Sequence, residues 1–379
     1  MQSLLTRTAV SVMSVNRPRS REFGVRIGSF EPGTYNCITD VQGVHIGQVT
    51  LIEGQGALNP GHGPIRTGVT AVLPHKGNIF REKVKAASFV INGFVKSIGL
   101  VQIDELGTLE TPILLTNTLN VGIVADALIE HMLEMNPDIG VTTGTINPVV
   151  GECNDGFLND IRGRHVKPEH VRRALRTATS EHVEEGAVGA GTGMSAFELK
   201  GGIGSSSRIL PSQHGGYVVG SLVLSNFGRL TDLIIDGAPV GRDLSVRMAS
   251  GSSANGSIII LVATNAPVSS RQLKRVAKRA THGLARTGSV STQGSGDVVI
   301  AFSTTSRVSH YREDIRAPVG SVLEEDLSWL FRAAAEATEE AIINSLFKAE
   351  TMIGRDGNTR TALPLDQTKT ILEKYGRIQ

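Results

Sequence analysis

Residues 258–264, with the sequence IIILVAT, constrain the fold of this chain more than any other segment. A strand with one face in water alternates apolar and polar residues, whereas a continuous apolar run is covered on both faces. We therefore predict a strand at residues 258–262, at the centre of a sheet with further layers on both sides. Ser257 stands at the leading end of this strand, where a rigid backbone would hold its side chain in place.

Shorter β-branched runs and helical periodicities alternate along the rest of the chain. Further strands are predicted at residues 38–49, 69–73, 113–116 and 218–225. Helices are predicted at residues 121–135, 169–178, 271–286 and 323–349, the last because it lacks glycine and proline and has an apolar stripe. Because strands and helices mix along the whole length, the sequence predicts an α/β (α+β) fold of packed sheet and helix layers.

The composition favours small-molecule chemistry. The formal net charge is +2, which provides no basic field for nucleic acid or an anionic membrane, and no apolar run is long enough to span a bilayer. Two cysteines do not make a disulfide framework, so Cys37 and Cys153 are expected to be reduced thiols. The ten histidines show no zinc-ligand spacing, and no metal or cofactor is expected.

The amino-terminal segment has a different composition from the rest. Residues 1–21 contain four arginines and four serines but no acidic residue, which fits either a disordered tail or a mitochondrial transit peptide. We expect residues 1–20 to form a disordered or targeting-like extension before a single domain at residues 21–379. A cytoplasmic location is predicted, with a mitochondrial one as the alternative.

A stretch of small and polar residues, at positions 241–257, directly precedes the central strand and is the predicted covalent boundary. The Ser257 hydroxyl could attack the Gly256 carbonyl, and hydrolysis of the resulting ester would leave a new amino terminus. An α-amine has an ordinary pKa of about 8, so it could act as general base for the hydroxyl beside it. A Gly-Ser pair is also an ordinary turn signal. Other such pairs in the chain are Gly204-Ser205, Gly251-Ser252 and Gly294-Ser295.

Six longer segments are specific enough to compare with known families: NCITDVQGVHIGQVT, NGFVKSIGLVQIDELGTLETPILLTNTLNVG, NPVVGECNDGFLNDIR, GAGTGMSAFELKGGIGSSSR, GSIIILVATNAP and GSGDVVIAFST. Together they resemble the L-aminopeptidase/D-esterase family, which includes the β-peptidyl aminopeptidases and is similar in fold to the ornithine acetyltransferases. The resemblance extends from about Arg17 over nearly the whole chain. It implies a four-layer αββα sandwich of the N-terminal-nucleophile type.

The resemblance also implies self-processing. Cleavage would give residues 21–256, or 1–256 with the extension, and residues 257–379, which stay together and assemble as a homo-oligomer. The implied activity is that of an aminopeptidase or amidase that removes N-terminal residues from small peptides, amides or esters through an acyl-enzyme.

Matching positions suggest which residues carry this chemistry. Ser257 corresponds to the nucleophile and, with Gly256, to the cleavage site. Asn226, in LVLSNFG, corresponds to the asparagine that helps to form the oxyanion hole. Without the family, an asparagine after a strand is as readily a turn cap.

Four further positions match residues that bind substrate or orient the new amine. Glu152, in VVGECNDG, corresponds to the acid that holds the substrate's free amino group. Asn154 stands where family members can have a tyrosine, which leaves the substrate preference open. Ser295 and Asp297, in GSGDVVIAFST, correspond to a serine and an acid near the nucleophile. As isolated residues, Glu152 would be interpreted as a solvated loop acid, and Ser295 and Asp297 as turn formers.

Two other functions remain open from the residues alone. One is an amine acetyltransferase of the ornithine acetyltransferase type, although those enzymes use threonine where this chain has serine. The other is a non-catalytic member of the fold. No GxSxG elbow supports a Ser-His-Asp hydrolase.

Two remaining motifs are interpreted as structural. The glycines at 186, 189, 191 and 193 lack the lysine of a phosphate-binding loop and are predicted to form a loop that lines the pocket. Asp104, Glu105 and Glu110, in QIDELGTLET, are predicted to be solvated acids in a turn, near a subunit contact or the pocket rim.

Overall fold

The computed structural model describes residues 17–246, 256–311 and 322–378. The strands in chain order are β1 (His45–Glu53), β2 (Ile65–Leu73), β3 (Glu82–Gly93), β4 (Thr108–Leu109), β5 (Ile113–Asn117), β6 (Val149–Cys153), β7 (Ser195–Ala196), β8 (Leu199–Lys200), β9 (Gly202–Ile209), β10 (Val218–Asn226), β11 (Ser257–Thr264), β12 (Gly296–Ser309), β13 (Met352–Ile353) and β14 (Thr359–Arg360). The helices are α1 (Leu100–Leu106), α2 (Val121–Met135), α3 (Pro168–Arg176), α4 (Val240–Ser245), α5 (Ser270–Arg286), α6 (Leu327–Phe347) and α7 (Leu365–Lys374).

Two sheets form the middle of the molecule. The larger has six strands in the order β4-β3-β12-β11-β10-β9, and the smaller has four in the order β1-β2-β5-β6. In both sheets the neighbouring strands are antiparallel, except that β11 is parallel to β12 and β5 to β6. β11 lies inside the larger sheet and is buried at every position, which confirms the predicted central strand.

The sheets pack face to face, with helices on their outer faces. β6 contacts β10 and β11, while α2 and α3 cover the smaller sheet and α5 and α6 cover the larger one. Along β11, Ile259 and Leu261 belong to the core between the sheets, whereas Ile258 and Ile260 belong to the core under the helices. The predicted αββα order is therefore confirmed.

Most predicted elements coincide with observed ones, but the strand predicted at residues 38–49 is wrong over its first part. Residues Ile38–Asp40 form a turn of 3-10 helix, and β1 begins only at His45. The Asp40 carboxylate accepts the backbone N–H of Cys37 at 3.0 Å, which stabilises the turn. Gly43 then adopts a left-handed backbone conformation, with φ of +102°, and redirects the chain into β1.

Helix α6 is more deeply buried than its apolar stripe predicted. Every residue from 333 to 347 is buried, and these include Glu336, Glu339 and Glu340. The helix packs on β9 and β10 and beside α5, so none of its sides faces bulk water over this length. Gly204 of β9 permits this close approach, because a Cβ there would lie 1.9 Å from the carbonyl oxygen of Ala341.

Residues 17–20, which composition assigned to the extension, are part of the packed structure. The Nε of Arg19 lies 2.7 Å from the carboxylate of Glu185, and Ser20 donates a 2.7 Å hydrogen bond to the side chain of Asn344. Arg17 and Arg19, two of the arginines on which the tail prediction was based, instead have partners within the fold, which composition does not show. Residues 1–16 lie outside the described residues.

The acidic segment near residue 105 agrees only in part with the predicted solvated turn, because Asp104 and Glu105 are exposed but Glu110 is buried. It forms α1 and β4, and Glu110 is buried with its carboxylate 2.6 Å from the Nζ of Lys83. Asp104 is more exposed and pairs with Lys274. The partners of both acids come from distant segments, so the local sequence did not reveal them.

Across residues 17–246, 256–311 and 322–378, no helix is long and apolar enough to cross a membrane. The same residues contain no cluster of three or more His, Cys, Asp or Glu side chains that could hold a metal ion.

Candidate active site

The sheet register brings three distant segments together at the start of β11. Ser257, the first residue of β11, pairs with Asn226 at the end of β10 and with Gly296 at the start of β12. Because β10 runs antiparallel to β11 and β12 runs parallel to it, these residues lie side by side at one end of the six-stranded sheet.

The peptide bond between Gly256 and Ser257 lies between these two neighbouring strands. The backbone N–H of Gly296 is 3.2 Å from the Ser257 Oγ and 3.3 Å from the Gly256 carbonyl oxygen. A Cβ on Gly256 would lie 2.3 Å from the carbonyl oxygen of Asn226 and 2.5 Å from the Cα of Phe227. The position before Ser257 therefore has no room for a side chain.

The side-chain amide of Asn226 is oriented by two backbone groups. Its Oδ1 accepts the N–H of Ser195 at 2.8 Å, and its Nδ2 donates to the carbonyl oxygen of Asn154 at 3.0 Å. An amide nitrogen carries two hydrogens, so this arrangement uses one and leaves the second for another acceptor.

Glu152 reaches the same region from the other sheet. It lies in β6 and is 2 % exposed, and its carboxylate accepts hydrogen bonds from the backbone N–H of Lys96 at 2.8 Å and from the Thr118 hydroxyl. Two oxygens offer about four acceptor positions, so the carboxylate can accept further donors from a ligand.

Ser295 and Asp297 lie at the start of β12, on either side of Gly296. The Ser295 hydroxyl donates a 2.5 Å hydrogen bond to the Asp297 carboxylate, and both residues are buried. Burial raises the pKa of Asp297, against the opposing effect of hydrogen bonds from Ser295, Ser291 and the backbone of Ile258. The last of these bonds connects the carboxylate to the residue that follows Ser257.

A pocket of about 510 Å³ opens at this end of the sheet. Its described lining consists of Phe94, Lys96, Thr118, Glu152, Asn154, Phe157, Gly256, Ser257, Gln293, Gly294 and Arg360. Of the sequence-predicted residues, Glu152, Asn154, Gly256 and Ser257 line the pocket directly. Asn226, Ser295 and Asp297 are not in this lining. Asn226 is bonded to Asn154, Ser295 follows Gly294, and Asp297 is bonded to Ser295.

The glycine-rich segment does not line this pocket, in contrast to its prediction. Residues Gly189–Gly191 form a buried 3-10 turn, and Gly189 donates its N–H to the Thr50 hydroxyl at 2.8 Å. A Cβ on Gly191 would lie 2.5 Å from the backbone nitrogen of Ile203. The glycines permit close packing between the edge of the smaller sheet and β9, and this backbone contact excludes side chains.

Several pocket residues carry no catalytic signal of their own in the sequence, although Lys96 and Phe157 lie within two of the family-like segments. Lys96 follows β3, Phe157 follows β6, and Arg360 ends the short strand β14. Each belongs to a different part of the chain and matches no catalytic motif. Only the packing of these segments around Ser257 identifies them.

Comparison with known proteins gives a consistent family assignment. The model of peptidase family S58 matches residues 36–360. The chain is 41 % identical to beta-peptidyl aminopeptidase BapA of Sphingosinicella microcystinivorans, over 96 % of this chain and 94 % of the relative. These relatives are peptidases, so the acetyltransferase alternative gains no support.

Solved structures agree with this assignment. A protein from Pyrococcus horikoshii OT3 is 56 % identical, with a TM-score of 0.92, over 95 % of this chain and 100 % of that one. The L-aminopeptidase D-Ala-esterase/amidase from Ochrobactrum anthropi, described as a variant of the Ntn hydrolase fold, is 36 % identical. Its TM-score is 0.88, over 96 % of this chain and 100 % of that one. The chain therefore belongs to peptidase family S58 and is a peptidase with the Ntn hydrolase fold.

Proposed function

We propose that the protein is a self-processing aminopeptidase in which Ser257 first cleaves its own peptide bond and then hydrolyses N-terminal residues from small peptides, amides or esters. The observation that carries this proposal is the position of Ser257. Ser257 lines the pocket, and its hydroxyl shares the N–H of Gly296 with the Gly256 carbonyl.

In the self-processing step, the Ser257 Oγ attacks the Gly256 carbonyl carbon, and the bond from that carbon to the Ser257 nitrogen breaks. The resulting ester is hydrolysed by water, which leaves a carboxylate on Gly256 and a free α-amine on Ser257. The Gly296 N–H supports this step, because a donor near the scissile carbonyl stabilises the developing oxyanion. The products would be the chains 1–256 and 257–379.

In substrate hydrolysis, the new α-amine would accept the proton of the Ser257 hydroxyl as the oxygen attacks the substrate carbonyl. The second Nδ2 hydrogen of Asn226 would be donated to the oxyanion. The C–N bond then breaks, the leaving amine takes the proton, and water hydrolyses the ester on Ser257. Ser295 and Asp297 would hold the α-amine through their hydrogen-bonded pair.

Glu152 explains why the enzyme would act at a free amino terminus. Its carboxylate lies in the pocket lining, already oriented by Lys96 and Thr118, and a substrate ammonium would pair with it. The named relatives act on β-peptides and on L-amino-acid or D-alanine derivatives. We therefore propose N-terminal α- and β-amino-acid amides as the substrates to test first.

The proposal is tested by intact-mass analysis together with an activity assay. Wild-type protein should resolve into two chains that sum to about the 40.2 kDa of the precursor plus one water, with one chain beginning at Ser257. It should also release p-nitroaniline from amino-acid anilides. Ser257→Ala should remain a single inactive chain, whereas Ser252→Ala should process and react normally. A stable and active single chain would contradict the proposal.

We also propose that the processed protein assembles as a homo-oligomer, an expectation that comes from the family. Light scattering of the purified protein measures its mass directly. A mass equal to one pair of processed chains would contradict this expectation.

A further inference from the structure

Arg360 brings a positive charge into the pocket from the short strand β14. Its Nε donates to the Ser195 hydroxyl at 3.1 Å, and its Nη1 donates to the carbonyl oxygen of Glu198 at 3.3 Å. The guanidinium also lies over the ring of Phe157, 3.8 Å from the ring centre. The side chain is thus held in one orientation at the pocket wall.

The charge on Arg360 is separated from the site that would hold the substrate's amine. Glu152 is held by Lys96 and Thr118, whereas Arg360 is held by Ser195, by the carbonyl oxygen of Glu198 and by the ring of Phe157. Ser195 connects Arg360 instead to the oxyanion donor, because the Ser195 N–H is bonded to the Asn226 Oδ1. Arg360 therefore belongs to the Asn226 side of the pocket.

The guanidinium has the chemistry of a carboxylate receptor. It is half-buried and stacked on an aromatic ring, which reduces its hydration, and burial lowers the pKa of Arg360 against the opposing charge of Glu198. An arginine still remains charged at neutral pH, because its ordinary pKa lies far above 7. A planar, preoriented guanidinium forms strong charge-assisted hydrogen bonds with carboxylates.

We propose that Arg360 binds a carboxylate on the leaving part of the substrate, so that the enzyme prefers short peptides with a free C-terminus. This inference rests on the proposed aminopeptidase function. The substrate's ammonium pairs with Glu152 and its scissile carbonyl lies between Ser257 and Asn226. The residue that leaves then extends past Asn226, toward Arg360.

Lys96 is the other basic residue in the described pocket lining and has a different environment. Its Nζ lies 3.8 Å from the centre of the Phe94 ring, and its backbone N–H is bonded to Glu152. Lys96 is therefore on the amine side of the pocket. This difference assigns the carboxylate to Arg360 and makes Lys96 a matched control.

The test compares substrates that differ only at the C-terminus. L-alanyl-L-alanine and L-alanyl-L-alaninamide, with the corresponding β-alanyl pair, are assayed for kcat/KM. The ratio of acid to amide is expected to fall about 10- to 100-fold in Arg360→Gln, mainly through KM for the acid. Arg360→Lys should recover part of the ratio. Any general disturbance of the pocket affects both substrates and cancels from the ratio.

Two controls complete the experiment. Lys96→Gln and Arg355→Gln should leave the acid-to-amide ratio unchanged, since Arg355 bonds to the carbonyl oxygen of Gly156 and is not in the described lining. An unchanged ratio in Arg360→Gln, or a ratio that depends on Lys96, would overturn the role of Arg360. It would leave the proposed aminopeptidase function unaffected.

A further arm locates the carboxylate within the substrate. The p-nitroanilide of aspartate carries a carboxylate on the N-terminal residue, whereas the p-nitroanilide of alanine carries none. If Arg360→Gln changes only the preference between these two, the assignment to the leaving part is overturned. If the wild-type protein cleaves none of the substrates, the proposed function itself fails.

Discussion

The guanidinium of Arg208 in β9 lies 2.6 Å from the carboxylate of Glu340 in α6, and both side chains are fully buried. Glu340 also accepts a 2.9 Å hydrogen bond from the Nε of Arg21 and a bond from the side chain of Asn36. Glu340 comes after the proposed cleavage site, whereas its three partners come before it. This buried network therefore connects the two proposed chains.

We expect Arg208→Met to lower the free energy of unfolding by about 3 to 5 kcal/mol, because it leaves a buried carboxylate with less compensation. Urea unfolding measures this change. Arg172→Met is the control, because Arg172 pairs with Glu130 at the surface and such pairs contribute about 1 kcal/mol or less. Equal losses in both variants would contradict the role assigned to the network.

Gly256→Ala should slow self-processing about 100-fold, because the new Cβ would displace the Gly256 carbonyl from its position beside Ser257. The fraction of intact chain, followed over time by mass spectrometry, gives the rate. Gly144→Ala is the control, since a Cβ there meets nothing within 4 Å. Processing of Gly256→Ala at the wild-type rate would show that the close contact does not position the bond.

Asn226→Ala should reduce kcat about 100- to 1,000-fold with little change in KM, because its amide would act on the oxyanion and not on the bound substrate. Steady-state kinetics of the processed protein measure both constants. Asn154→Ala keeps the backbone carbonyl that orients Asn226, so kcat should change much less. A similar fall in kcat for both variants would indicate a general loss of pocket structure.

Asp297 should produce a pH dependence in both activity and stability. Burial raises the pKa of its carboxylate, so activity that needs the carboxylate should fall as the pH is lowered through this raised value. The folded protein also binds this proton more tightly than the unfolded chain. Its contribution to stability is therefore largest at low pH and decreases as the pH rises from about 3.9 to the folded pKa.

Asp297→Asn should remove both effects. The kcat should be lower, and the acidic limb of the pH–rate profile that this carboxylate causes should disappear. The free energy of unfolding should decline less than in the wild type between pH 4 and neutrality. Asp104→Asn, at an exposed ion pair, is the control for stability. A wild-type profile in Asp297→Asn would exclude this carboxylate as the titrating group.

The two cysteines should not react with thiol reagents in the folded protein. Burial raises the pKa of Cys37 to about 12 and raises that of Cys153 well above its ordinary value, so little thiolate forms at neutral pH. Titration with a chromogenic disulfide should detect no thiol in the native state and two per chain after denaturation. Rapid reaction of a native thiol would contradict this burial.

The sequence predicted those elements whose pattern is local. A run of consecutive apolar residues requires cover on both faces wherever it lies, so the strand after Ser257 could be identified as central. Helix α6 shows the limit of this reasoning. Its alanines and glutamates indicate a helix, but only the contacts with Arg208, Arg21 and Asn36 explain how Glu340 is buried there.

The residues of the candidate site also form two groups, those predicted from the sequence and those identified only by the tertiary structure. The family-like segments and LVLSNFG identified Ser257, Asn226, Glu152, Ser295 and Asp297 from the sequence, because such motifs are contiguous along the chain. Tertiary structure alone decided that Asn226 and Gly296 flank Ser257, and that Arg360 meets Ser195, 165 positions away. The burial of a strand follows from its own residues, whereas a pocket depends on which distant strands pair and in which register.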